Sequence, residues 1–113
     1  MAAALHNIIV GRGEDYTSIL TILDNLGAPV DLTLDTFEAQ VRRAGGKPLV
    51  AEFTCALSDA VNGVMTIVMP RSESLKLDGN AHYSWDLFRI TPTASYRLIQ
   101  GDVRVENNIT KLA

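Results

Sequence analysis

The spacing of turn signals constrains this chain more than any other feature of it. Turn-forming clusters stand at Gly11–Gly13, Asp24–Pro29, Gly45–Pro48, Asn62–Gly63 and Asp78–Asn80. They recur at intervals of roughly 8 to 15 residues, and the segments between them alternate apolar and polar residues with a period of two. Strands of that length joined by short turns argue for a sandwich or a barrel and against alternating βα units.

The segments read as follows. Asn7 to Val10 is a short first strand, ended where two glycines permit a tight backbone. From Tyr16 to Leu23 one face carries Tyr16, Ser18, Leu20 and Ile22 and the other Thr17, Ile19, Thr21 and Leu23, with β-branched residues favouring strand over helix. Val30, Leu32 and Leu34 alternate with Asp31, Thr33 and Asp35, and the pattern runs on through Phe37, Ala39 and Val41, of which Phe37 and Val41 should face the core. Val50 to Leu57 puts Cys55 in an inward register, and Asn62–Gly63 turns it into Val64 to Met69, which Pro70 stops. Arg71 to Leu77 suits a helical turn, with Ser72 as N-cap and Glu73 in the positive first turn. Ala81 to Ile90 and Tyr96 to Val105 form the closing hairpin.

The expectation is a single domain over 1–113 with about seven or eight strands, residues 1–10 a candidate extended N-terminal arm and 106–113 a short C-terminal tail. One constellation favours the sandwich. Asp78–Asn80 precedes Tyr83, and Trp85 follows on the same face, a spacing like the tyrosine corner of immunoglobulin-like sandwiches. The expected fold is therefore all-β, a single antiparallel immunoglobulin-like β-sandwich.

Composition narrows the function classes. At 113 residues the chain can bury a core without staples. Its one cysteine, Cys55, cannot close an internal disulfide, and with only His6 and His82 beside it a zinc scaffold is not expected. The formal charge is −3 and the basic residues are scattered, with Arg42, Arg43 and Lys47 the nearest thing to a cluster. Nucleic acid is not an expected partner, because neutralising phosphates takes clustered Lys and Arg. Met1 to Val10 lacks the basic start of a signal peptide, and no apolar run approaches the ~18 residues of a membrane span, so a soluble protein is expected. The sequon Asn108–Thr110 is then accidental.

Chemistry is hard to find. Nucleophilic catalysis needs a base near Ser, Cys or Thr, yet His6 sits in a loosely patterned terminus, His82 alternates outward and Cys55 falls in a core register. Asp24, Asp31 and Asp35 gather around one turn, but without the Asp-x-Asp-x-Asp-Gly pattern of a calcium loop they read as turn-formers bonding their own backbone. Gly11–Gly13 lacks the Lys-Ser/Thr pair and helix of a phosphate loop. No catalytic, cofactor or metal residue is assigned. The stronger signal is apolar residues on both faces of two strands. If Leu20 and Ile22 face inward, Ile19 and Leu23 face outward; if Val64, Thr66 and Val68 face the sheet, Met65, Ile67 and Met69 face away. Exposed apolar patches mark binding surfaces, which makes Ile19, Leu23, Met65, Ile67 and Met69 the interface candidates.

A series of segments carries a resemblance. Gly13-Glu14-Asp15-Tyr16-Thr17 opens a strand, Pro29-Val30-Asp31-Leu32-Thr33 follows a glycine turn, and Phe37–Arg42 and Asn62-Gly63-Val64 come next. Tyr83–Leu87 and Leu98–Val105 complete the order. Across roughly Arg12 to Val105 the chain resembles small tailed-phage virion structural domains, and is similar to the N-terminal domain of siphophage upper baseplate proteins. The resemblance implies a non-enzymatic structural component of the virion, synthesised in the host cytoplasm. It would act as a tail, baseplate or head-surface adaptor or cement subunit in a multicopy or homo-oligomeric assembly with other virion proteins. In longer relatives a stalk or receptor-binding region follows this domain, whereas the sequence here stops at Ala113, which favours the adaptor and cement roles. The alternative is a carbohydrate-binding module for host-surface glycans, with Tyr96 or Trp85 as stacking platforms.

Overall fold

The computed structural model describes residues 4–43 and 48–107. The chain forms β1 (Ala4–Leu5), β2 (Ile8–Gly11), β3 (Tyr16–Thr21), β4 (Thr36–Arg43), β5 (Leu49–Asp59), β6 (Val64–Met69), the single helical turn α1 (Arg71–Ser74), β7 (Tyr83–Ile90) and β8 (Ser95–Glu106). The expected Gly45–Lys47 loop, the Asn108 sequon and the tail beyond 107 lie outside the described residues.

The architecture is all-β, as the turn spacing predicts, and takes the form of one curled sheet in the order β1-β8-β7-β4-β5-β6-β3, with β2 also on β8. The curl is built into β5. Its first half pairs with β4, Ala51 to Phe53 against Val41 to Ala39, and its second half with β6, beginning at Thr54 opposite Val68. The sheet thereby turns over itself as a half-barrel. The connection Gly11 to Tyr16 joins β2 and β3, which sit at opposite ends of the strand order. Most pairings are antiparallel, but β1 and β2 run parallel to β8, Ala4 opposite Ile99 and Ile8 opposite Val103. The segment expected as an arm thus contributes Ile8 and Val10, 4% and 0% exposed, to the core.

Between the two halves lie Val10, Val41, Phe53, Leu87 and Trp85. Phe53 packs on Trp85 at 5.5 Å between ring centroids and Tyr16 on Phe53 at 6.0 Å, so an aromatic column crosses the core. Trp85 meets its polar requirement by donating Nε1–H to the His6 carbonyl at 2.8 Å. That carbonyl comes so close to Gly101 that a Cβ there would stand 2.2 Å from it. A strand glycine is what such an approach requires. At the start of β7, the Asp78 N–H donates to Tyr83 Oη at 2.9 Å, the bond expected of a tyrosine at that corner.

The register overturns three interface candidates. Met65, Ile67 and Met69 are 0%, 1% and 0% exposed and belong to the core, while Val64, Thr66 and Val68 face outward. The physical reason is the hydroxyl of Thr66: the parity containing it goes to water, and the three larger, wholly apolar side chains go inside. The Val30–Leu34 strand is also corrected, since this segment is a loop and β4 begins at Thr36. Leu32, fully buried, and its N–H bond to the Ala60 carbonyl at 2.8 Å hold the loop to the body instead. The helical turn starts after Pro70 rather than at a Ser72 cap. Buried Ser74 accepts the Gly13 N–H and donates to the Glu14 carbonyl, tying α1 to the crossing between β2 and β3. Glu73 accepts the Lys76 ammonium and the Glu52 N–H, which hold its carboxyl below the ordinary value.

Candidate interaction surface

The outer sides of the two halves differ in charge. On β4, β7 and β8 the outward positions include Glu38, Gln40, Arg42, Asp86 and Arg97, and all five line a shallow groove of about 320 Å³. Four of these groups pair with one another. Arg97 Nε lies 3.4 Å from Asp86 Oδ2 and its guanidinium sits 5.3 Å from the Phe88 ring centre, while Arg42 donates to Gln40 Oε1 at 3.0 Å.

On β3, β6 and β5 the outward rows are Thr17–Val68–Thr54, Ile19–Thr66–Ala56 and, at the far end, Thr21–Val64–Asp59. The pairing of β5 with β6 is irregular between Leu57 and Asp59, and at this break Ser58 bonds the Thr66 hydroxyl. Asp59, at the far corner and bonded by the Asn62 amide, is the one charged residue among these ten. Strand surfaces that must stay solvated usually carry Lys or Glu, so a face made otherwise of Thr, Val, Ile, Ala and Ser is an unusual use of water-facing positions.

Of the five residues expected at an interface, Ile19 is 70% exposed at the midpoint of the edge strand β3 and Leu23 is 52% exposed just beyond that strand's end. These two follow one another along the β3 edge, and Met65, Ile67 and Met69 lie in the core on the other side of the sheet. Sequence reasoning misses Leu26, Leu34 and Val61, exposed by 93%, 77% and 65%. The first two lie in the loop between β3 and β4, and Val61 in the 3-10 turn between β5 and β6 against which that loop is bonded. The expected strand hides Leu34, because it gives this residue the same parity as buried Leu32. A Leu next to Asn25 and Gly27 in a turn is the available signal for Leu26.

The loop that displays them is well tethered. Asp24 Oδ1 accepts the Leu26 and Ala28 N–H groups, and Asp31 Oδ1 accepts the Thr33 N–H and hydroxyl, which hold the Asp31 carboxyl below its ordinary value. Asp35, 8% exposed, pairs with Arg89 Nε on β7. The aspartates that gather in sequence therefore serve separate structural bonds. Among the described residues no three His, Cys, Asp or Glu side chains stand together as a metal would need. Cys55 is half-buried, and burial, reinforced by the Glu38 charge, pushes its thiol up to about 11, far from a reactive thiolate at neutral pH. Trp85, 3% exposed with its N–H bonded inside, cannot act as a stacking platform; Tyr96 is 50% exposed. No helix among the described residues is long and apolar enough to cross a membrane. No protein-family model matches the chain, and no curated protein matches it.

Proposed function

We propose that this chain is a non-enzymatic structural subunit of a tailed-phage virion, an adaptor or cement at the tail, baseplate or head surface, working through contacts between protein subunits. The observation that carries the reading is the outer face of β3, β5 and β6, uncharged but for Asp59 at its corner, with exposed Ile19 and Leu23 on it and Leu26 in the turn that follows. A face of this kind, opposite one that carries Glu38, Arg42, Asp86 and Arg97, suits burial against protein. The virion setting rests on the resemblance of Arg12 to Val105 to small phage structural domains.

The finer fold reading is an immunoglobulin-like sandwich in which one bent strand, β5, serves both sheets. The strand order β8-β7-β4 on one side and β6-β3 on the other supports it, as does the Tyr83 corner bond. Trp85 stands two residues after that tyrosine, where a disulfide cysteine stands in antibody domains. The test is quantitative mass spectrometry of purified particles. A copy number in the hundreds places the protein on the head and about six to a few dozen on the tail; absence from particles refutes the virion reading.

A further inference from the structure

The last strand of the sheet order, β3, has one partner only: it pairs with β6 and nothing else among the described residues. Which of its backbone groups remain open follows from one bond. Ile22 N–H donates to the Gly63 carbonyl at 2.8 Å in the register that sets Thr21 opposite Val64. In an antiparallel ladder the bonded positions alternate, so Leu20, Ser18 and Tyr16 bond β6, and the N–H and C=O groups of Thr17, Ile19 and Thr21 point away from it. The Leu23–Pro29 bridge continues the chain on the same course.

Open edges are normally guarded by Lys, Pro, a bulge or shortness. The β3 edge has none of these: Tyr-Thr-Ser-Ile-Leu-Thr carries no charge and no proline, and its six residues pair without a register shift. Its outward residues also read the same in both directions, Thr17, Ile19, Thr21. We infer that the partner of this edge is β3 of a second copy of the same chain, related by a two-fold axis through Ile19. That register sets Ile19 against its symmetry mate and each Thr17 against a Thr21. It makes about six backbone hydrogen bonds, two for each facing pair, and joins the outer faces of the two copies into one.

The occupant follows from charge. A two-fold sets every strand position against a position of the same strand, so a single Lys or Asp near the axis would meet its own sign. In the Ile19-centred register Ile meets Ile and Thr meets Thr, both favourable cross-strand pairs. A shift of two residues loses this: in one direction it brings Asp15 opposite Thr21, and in the other it sets Ile19 against Thr21 and Thr17 against Leu23. The strip is narrow beside the roughly 800 Å² per partner of a standard interface, so the dimer forms in the micromolar range rather than as an obligate pair. The inference deepens the assembly reading and names its partner, but it stands or fails on solution behaviour alone.

Sedimentation equilibrium of the full chain tests it, with two variants, Ile19→Lys and Ile19→Glu. The wild type is expected to move from 12.3 kDa toward twice that mass as concentration rises. Each variant alone should remain monomeric with at least tenfold weaker association and an unchanged circular dichroism spectrum, since Ile19 is 70% exposed. An equimolar mixture of the two should dimerise again, because only a two-fold through residue 19 sets those side chains face to face. A wild type that stays monomeric at several hundred micromolar overturns the inference, as does a mixture that fails to pair. Slow amide exchange at Thr17, Ile19 and Thr21 in a monomer would show an intramolecular occupant, and protection gained only with another virion protein a heterologous one; either overturns the second-copy assignment. A dimer in solution with no protein in particles upholds the pairing and refutes the virion reading.

Discussion

Replacing Ile67 with alanine tests the register on which the surface depends. Ile67 is 1% exposed and lies between the two halves of the sheet, opposite Ser18 on β3 and Cys55 on β5. Truncating a fully buried isoleucine to alanine costs about 2 to 5 kcal/mol, the transfer of the lost carbons plus the cavity they leave. A chain of 113 residues has a total stability of about 6 to 17 kcal/mol, so the variant stays folded. With an unfolding entropy of about 0.24 kcal/mol per degree for this length, the melting temperature should fall by about 8 to 20 °C. The neighbouring change Val68→Thr, on the outer face in a row with Thr17 and Thr54, should shift it by less than about 2 °C. Differential scanning calorimetry of both, checked by urea titration, reads the difference. A larger loss from Val68→Thr than from Ile67→Ala would mean that β6 is slipped by one residue and that its outer face is in fact the core. For the same reason Met65→Asp with Ile67→Asp should prevent folding altogether, rather than give a soluble monomer that merely fails to assemble.

Tyr83→Phe removes the acceptor of the Asp78 N–H and should cost about 1 kcal/mol, near 4 °C in melting temperature. Gly63→Ala should cost more than Gly27→Ala: both have positive φ, 74° and 81°, but only at Gly63 would the new Cβ meet backbone, the Ile22 carbonyl at 2.7 Å. The Cys55 thiol titrates at about 11 in the folded chain against an ordinary value of 9.0, so the unfolded state loses its proton first as pH rises. Its stabilising contribution is full below about pH 9 and declines between about 9 and 11; urea titrations across that range should show a shallower decline for Cys55→Ala than for the wild type.

The strands are legible where turn and alternation agree. Tyr16–Thr21 reads with the right face inward because Leu20 and Ile22 share a parity with Tyr16, and Tyr83 with Trp85 marks the inner face of β7. In Val64–Met69 both parities are largely apolar, so alternation carries almost no information, and the lone hydroxyl of Thr66 is easily outweighed by the prospect of adaptable methionines. The loop over residues 22–35 misleads for a different reason: Leu32 and Leu34 imitate strand alternation, while what fixes the segment is a buried ion pair to Arg89 and bonds to Ala60, partners far along the chain. Nothing local announces that Ile8–Gly11 will lie parallel to β8, whose Asp102 N–H reaches the Asn7 side chain across 95 residues. The one trace of it is a glycine, Gly101, in the middle of an otherwise regular strand.

That parallel pairing decides how the molecule meets tension. β2 and β8 point the same way, so a pull on the chain before Ile8 and after Glu106 drags them past each other lengthwise. The bonds between Ile8–Gly11 and Val103–Glu106 are then loaded together, whereas a hairpin pulled apart at its open end gives way one rung at a time. Force applied through the two ends of the chain is borne by this patch together with the parallel β1–β8 pairing before it, and the outer face of β3, β5 and β6 is left undistorted until they shear.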